Sequence, residues 1–289
     1  MNHWLQQDWS RDWPAPAKLN LFLHVVGRRA DGLHLLQTVF RFIDRADGLR
    51  FQPRHDDRIV LAHPLPGVPV EQDLCYRAAR ALQQVTGCRQ GVEIHLTKRL
   101  PMGGGLGGGS SDAATVLQAL NHLWQTGLTG AQLQAIGLSL GADVPIFIHG
   151  QAAFAEGVGE CFQPVSLPPA WYLVLLPPVS VPTAQIFAAP QLRRDTPAMI
   201  AADWRAGMGG NDLEPVACAL YPAIAEHLAW LRQFAPARMS GSGACVFAEF
   251  PSEDAAHRAY AALPPGMQGW LARGLERSPL LDCLAAGSS

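Results

Sequence analysis

The stretch Leu100-Pro-Met-Gly-Gly-Gly-Leu-Gly-Gly-Gly-Ser-Ser-Asp-Ala-Ala114 decides how the rest of the chain is read. Six of the seven residues from Gly103 to Gly109 are glycine. Glycine lacks a Cβ, takes positive φ readily and lets a ligand touch the backbone. A loop so rich in it exposes N–H groups that converge on an anion. Just upstream, residues 92–98 alternate as a strand does, from Val92 to Lys98. Just downstream, Ser110, Ser111 and Asp112 are good N-cap residues. Val116, Leu117, Leu120, Leu123 and Trp124 then recur at helical spacing. Strand, glycine loop and helix start together predict a phosphate site, because free N–H groups and the helix dipole both favour negative charge. A flexible linker would lack the strand before and the capped helix after.

The loop is not a Walker loop, which ends in Gly-Lys-Ser/Thr; here no lysine precedes the serines. A G-x-G-x-x-G spelling exists at Gly103, Gly105 and Gly108, but a dinucleotide site needs an acidic residue about 20 positions on. No Asp or Glu lies between Asp112 and Asp143, so the oxidoreductase reading loses its ribose partner.

With 289 residues, 48% of them apolar and 16% charged, the chain has the length for one large or two ordinary domains with a sizeable core. A net charge of −2 argues against nucleic acid as a partner. The six cysteines (Cys75, Cys88, Cys161, Cys218, Cys245 and Cys283) fit no zinc spacing and read as reduced thiols of a cytoplasmic protein. No apolar run is long enough for a membrane span, and the ten histidines form no metal-binding grouping.

Residues 1–13 carry Trp4, Trp9 and Trp13 and read either as an ordered arm or as a frayed tail. From Ala15 to Val26 the pattern alternates, with Leu19, Leu21, Leu23 and Val25 on one face and Lys18, Asn20, Phe22 and His24 on the other. On that pattern alone Lys18 is either a solvated strand residue or a group aimed into a site. A turn-rich loop from Gly27 to His34 leads to two short strands, 38–43 and 58–62, split by polar turns. Asp73 caps a helix running to Val85, with Leu74, Ala78, Leu82 and Val85 inward. Thr129 and Gln132 spell a capping box for a helix through Leu140, closed by Gly141. Asp143 then stands between that cap and the apolar run Val-Pro-Ile-Phe-Ile, so it is either a turn acid or a shielded functional one.

Strands are predicted at 151–157 and 171–176. The proline-rich segment Leu167 to Ala170 sets a boundary between domains 1–166 and 167–289. In the second, a loop from Val179 runs into a helix at Phe187, and one long helix covers about 211–233. The glycine turn Ser240 to Gly243 enters a strand to Phe250, a helix follows over about 252–263, and a strand over 270–275. This succession is an α+β pattern.

Three pieces now stand in order: Pro16 to Asn20 (Pro-Ala-Lys-Leu-Asn), Pro101 to Ser111, and Met239 to Cys245 (Met-Ser-Gly-Ser-Gly-Ala-Cys). They resemble the three motifs of the GHMP small-molecule kinases, over nearly the whole chain from Trp13 onward. The spellings Arg29 to His34, Gly141 to Pro145 and Ala153 to Gly159 narrow the resemblance to one branch. That branch implies transfer of the γ-phosphoryl group of ATP to a methylerythritol hydroxyl, in the non-mevalonate route to isoprenoids. It implies a two-domain α+β GHMP kinase fold, with an N-terminal domain like a ribosomal-protein-type unit and a C-terminal ferredoxin-like domain. ATP and Mg2+ are the implied cofactors, although the sequence fixes no metal ligand. The implied partner is a small-molecule substrate with a cytidine diphosphate group, bound by a monomer or weak homodimer.

Carried over residue by residue, Asp143 matches the catalytic aspartate and Lys18 the lysine paired with it. An ammonium beside a carboxylate favours the charged form that takes a hydroxyl proton. The ATP-side positions are Lys98, Pro101, Met102, Gly103, Gly104, Gly105, Leu106, Gly107, Gly108, Gly109, Ser110, Ser111 and Asp112, with Asp73 near the adenine. Asn20, His34, Leu33, Thr183 and Phe187 match the substrate side. Leu33 stands where this branch usually has a tyrosine stacking on cytosine, and Asp73 and Asp112 stand where asparagine also occurs. The rival readings are a GHMP kinase for another alcohol, such as mevalonate or homoserine, and a binding module without catalysis. Having both Lys18 and Asp143 speaks against the latter.

Overall fold

The computed structural model describes residues 8–286; Trp4 lies outside them. In chain order it holds strands β1 (Trp13–Arg28), β2 (His34–Arg54) and β3 (Ile59–Leu61), helix α1 (Leu74–Thr86) and strand β4 (Gly91–Thr97). Three helices follow, α2 (Gly108–Leu123), α3 (Gly130–Leu140) and α4 (Val144–His149), and then the hairpin β5 (Ala153–Glu156) and β6 (Cys161–Pro164). The second half runs through β7 (Trp171–Leu176), α5 (Thr183–Ala188), α6 (Glu214–Leu220), α7 (Pro222–Leu231), β8 (Ala237–Met239), β9 (Val246–Phe250), α8 (Glu253–Ala261), β10 (Gln268–Leu275) and α9 (Pro279–Ala286).

β2 is the spine. One edge pairs with β1 along its length. The other takes β5 at residues 38–40, β10 at 42–43 and β4 at 48–54. The sheet continues from β10 through β7 and β9 to β8. Within the sheet the two halves join where β10 pairs with β2, Ile43 with Gly274 and Phe42 with Leu275, and backbone bonds such as Leu23 N–H to Gly210 and Ala152 N–H to Glu276 add to that join.

Helices α1 to α4 pack on the first half of the sheet, where Phe42, Phe51, Leu82, Leu117, Leu120 and Phe147 share a core. Twelve residues of α2 are buried, so α2 is a central helix rather than an amphipathic cover. A second core joins Leu173, Leu175, Ile224, Leu228 and Val246 under α7. A third, built on Leu19, Leu21, Phe22, Tyr172 and Trp204, lies between them. No helix among the described residues is long and apolar enough to cross a membrane.

Several sequence expectations are corrected. β2 does not break after Ile43, because Asp47, read as part of a polar turn, is buried and accepts the N–H groups of Arg99 and Leu100. The alternation of β1 fails at an irregularity between Asn20 and Leu23. As a result Phe22 stacks on Trp204 in the core, while Leu23 joins Lys18 and Asn20 along the cleft. In α1 the inward face is Cys75, Ala78, Ala79, Leu82 and Gln83, and Val85 is 62% exposed. The long helix over 211–233 is two helices, α6 and α7, divided before Pro222. Proline removes a helical N–H and drives the preceding residue from the helical region; Tyr221 has φ −133° and ψ 83°. β8 and α9 were not predicted.

The capping box at Thr129 and Gln132 is present. Asp73 caps α1 by accepting from the N–H groups of Cys75 and Tyr76. Asp73→Ala should lower unfolding stability by roughly 0.5–2 kcal/mol, the usual cost of a lost N-cap. Chemical denaturation checks the expectation.

Candidate active site

The glycine loop adopts alternating positive φ, at Gly103 (67°), Gly105 (72°) and Gly107 (72°). Its carbonyls are tied to the protein. Gly103 accepts from Ala244 N at 3.2 Å, Gly104 from Cys245 N at 3.1 Å, and Leu106 from Lys18 N at 3.0 Å. Gly105 accepts from Lys18 Nζ at 3.0 Å and Ser240 Oγ at 2.9 Å. With its oxygens held inward and its φ alternating, the loop forms a nest of the kind that collects anions on backbone N–H groups. A side chain at Gly105 would put its Cβ 2.0 Å from the Ser240 carbonyl oxygen.

α2 begins earlier than predicted. Gly107 is its N-cap, without a side-chain capping bond, and Ser110, Ser111 and Asp112 lie inside the helix. The N–H groups of Gly108, Gly109 and Ser110 therefore head the helix without intrahelical acceptors. Gly108, Gly109 and Ser110 line the cleft, where the dipole favours negative charge.

Lys18 is 2% exposed. Its ammonium meets Asn20 Oδ1 at 2.6 Å, the Gly105 carbonyl at 3.0 Å and Asp143 Oδ2 at 3.2 Å. It also lies 5.6 Å from the centre of the Phe40 ring. A lysine has three N–H donors, and each has an acceptor here. Asn20 in turn donates to Thr38 Oγ1 at 2.9 Å, and its backbone N–H reaches Ser240 Oγ at 3.2 Å. Asp143 occupies the N-cap position of α4 but makes no capping bond. Its side chain is 39% exposed and faces the cleft rather than being shielded.

Lys98 bridges two carboxylates, Asp47 and Asp112, the latter at 2.7 Å. Burial works against its ammonium, but Asp112 and Asp47 together raise it above the ordinary lysine value. Burial pushes the Asp112 carboxyl up to about 7, with Asp47 adding and Lys98 opposing. Asp112 Oδ1 is buried without a partner among the described residues.

Lys18, Asn20, Thr38, Lys98, Asp112 and Asp143 open on one cleft of about 490 Å3, within the roughly 300–1,000 Å3 usual for small-molecule sites. Pro101, Met102, Gly103, Gly104, Gly105, Gly107 and Lys98 line it on the loop side, and Thr183 and Phe187 on the other. Thr183 Oγ1 meets Ser242 Oγ at 2.8 Å. Leu106 and Ser111 are buried beneath the loop, their side chains outside the lining. Leu33 is 52% exposed and also outside it. His34 stands behind Phe187, ring against ring at 4.9 Å.

The structure adds residues that the sequence did not single out. Asp47 and Thr38 sit in β2 with no local signal of their role. Asn211 donates to the carbonyls of Met239 and Gly241, each at 2.8 Å, and so holds the glycine turn. Its place just before a helix was the one available hint.

Residues 73–151 match the GHMP kinases N terminal domain, and residues 191–266 match the GHMP kinases C terminal. A 4-diphosphocytidyl-2-C-methyl-D-erythritol kinase of Dechloromonas aromatica (strain RCB) is 66% identical over 93% of this chain and 98% of its own length. One from Thiobacillus denitrificans (strain ATCC 25259 / T1) is 63% identical over 94% and 98%. The crystal structure of a 4-(cytidine 5'-diphospho)-2C-methyl-D-erythritol kinase superposes with a TM-score of 0.78 at 37% identity, covering 91% of this chain and 99% of that one.

The raised Asp112 carboxyl sets a pH dependence. Its folded value of about 7 exceeds the ordinary 3.8, so the fold favours the protonated form. The stability this group contributes is present at low pH and is lost as pH rises from about 4 to about 7. Asp112→Asn removes the titration. Its denaturation midpoint should rise relative to wild type between pH 5 and pH 8, as paired urea titrations at the two pH values would show.

Proposed function

The chain belongs to the GHMP kinases and, among them, to the family of 4-diphosphocytidyl-2-C-methyl-D-erythritol kinases, and from that premise we propose that it phosphorylates the 2-hydroxyl of 4-diphosphocytidyl-2-C-methyl-D-erythritol with ATP. It is a small-molecule kinase. The observation that carries the specific reading is the Lys18–Asp143 contact of 3.2 Å at the foot of the glycine nest. It supports reading Asp143 as the base, Lys18 as the cation and the glycine nest as the phosphate cradle.

Phosphoryl transfer is mostly positioning and charge stabilisation. Asp143 accepts the hydroxyl proton as the substrate oxygen bonds to the γ-phosphorus and the bond to ADP breaks. Lys18 orients that carboxylate and offsets charge on the transferred group. The N–H groups of Gly108, Gly109 and Ser110 fit the phosphates, since they lack helical acceptors and line the cleft. Mg2+ belongs to this proposal as the ion carried by the triphosphate, with Asp112 and Asp143 as the carboxylates that line the cleft; Mg2+ commonly takes one or two carboxylates plus substrate phosphates. Phe187 supplies the stacking face for cytosine and Thr183 a polar neighbour. Leu33 stands off the lining, so Phe187 carries the stacking alone. The division of the chain at 166/167 is part of the same reading, with α9 returning to pack Leu280 into the first core.

A coupled ADP-release assay across alcohols with and without the cytidyl group tests the substrate. Turnover confined to the cytidyl alcohol is expected; equal or better turnover of mevalonate or homoserine would sink the reading. Asp143→Ala should lower kcat roughly 10²–10⁴-fold while ATP binding, measured by calorimetry, survives. Lys18→Met should also lose activity. Phe187→Ala should raise KM for the cytidyl substrate up to about tenfold, since a stacked ring contributes roughly 0.5–1.5 kcal/mol beyond area burial, and leave KM for ATP in place.

A further inference from the structure

Arg194 follows α5 and carries no role in the reading above. Its guanidinium makes four hydrogen bonds at one side of the cleft wall. Nε donates to His34 Nε2 at 3.1 Å. Nη2 donates to the carbonyls of Phe187 and Ala189, each at 2.8 Å, and Nη1 to that of Leu192 at 3.0 Å. The His34 ring lies on Phe187 at 4.9 Å with 32° between planes. One side chain thus grips both the backbone that carries Phe187 and the ring that backs it.

Arginine has donors only and stays charged in proteins. The lone pair in this contact must therefore be on His34 Nε2, and a neutral imidazole then holds its single proton on Nδ1. Burial lowers the proton affinity of His34, and the cations of Arg194 and Arg28 lower it further. Arg28 faces it from the paired position on β1. Protonation would set an Nε2–H against the Arg194 Nε–H, two donors and two like charges in contact.

We propose that Arg194 is a positioning residue for the base-binding wall: it pins the neutral Nδ1–H form of His34 and the end of α5 together, and so fixes the Phe187 ring against the substrate's base. The proposal rests on the substrate reading above. It ties substrate binding to the protonation state of His34, whose ring lies on Phe187. Acid weakens the wall as His34 takes up its proton, at a pH below the ordinary imidazole value of about 6.5.

Nitrogen-15 spectra of histidine-labelled, ligand-free protein make the first test. The wild type should show His34 as the Nδ1–H tautomer, titrating below pH 6.5. In Arg194→Met the preference should be lost and the titration should move up. Kinetically, Arg194→Met should raise KM for the cytidyl alcohol several-fold while kcat and KM for ATP stay within about twofold. Arg194→Lys should behave like the methionine variant, since a point-like ammonium cannot reproduce the planar fork. The wild-type KM for the cytidyl alcohol should rise as pH falls through the His34 transition, and that rise should be blunted in Arg194→Met. An Nε2–H tautomer in the wild type, or an unchanged KM in Arg194→Met, would overturn the proposal. If Arg194→Met does not fold, His34→Phe keeps a ring on Phe187 but removes the acceptor, and it must show the same KM rise. If the wild type binds ATP and ignores the cytidyl alcohol, the substrate reading has failed; the nitrogen spectra then decide by themselves whether Arg194 pins His34.

Discussion

The carbonyl oxygen of Gly105 receives the Lys18 ammonium at 3.0 Å and the Ser240 hydroxyl at 2.9 Å. Three segments far apart in the chain are fastened at that one atom. An ammonium buried as deeply as Lys18 is tolerated only with a full set of partners. The loop carbonyl, Asn20 and Asp143 supply them. The same bond turns the loop so that its oxygens face the protein. Its N–H groups are left for the cleft, and the nest exists because its back is anchored.

Charge follows the same logic around Lys98. Lys98 stands between Asp47 and Asp112, so two buried acids share one cation. Burial, with Asp47 adding to it, raises the Asp112 carboxyl. Asp47 is bound further by the N–H groups of Arg99 and Leu100. The polar stretch in the middle of β2 can then stay a strand, because its acid has partners.

What could be read from the sequence was local. Positive φ at Gly103, Gly105 and Gly107 is written into residue type, since other side chains avoid that region. The strand into Lys98, the cap at Asp73 and the box at Thr129 and Gln132 are likewise short-range signals. The meeting of Lys18 with Asp143 came from motif order rather than from periodicity, which left Lys18 undecided. What stayed hidden depends on distant partners. Asp47 reads as a turn residue until Lys98 is placed beside it. The irregularity after Asn20, which exchanges the faces of Phe22 and Leu23, has no marker in a run of apolar residues. The helix break before Pro222 was missed although proline itself marks it. Leu33 and His34 show the limit of positional correspondence: both are where the motif puts them, yet neither lines the cleft.

Ser240 lies 135 residues beyond Gly105 and 220 beyond Asn20. Closing contacts over such separations costs chain entropy before any contact rewards it. During synthesis, a chain that has emerged through α4 already contains Lys18, the glycine run and Asp143. It still lacks the hydroxyl that seats the Gly105 carbonyl and the strand turn that docks Gly103 and Gly104. The glycine nest is therefore completed late in the life of the nascent polypeptide, and a partly made chain holds the motif residues without the surface they later form.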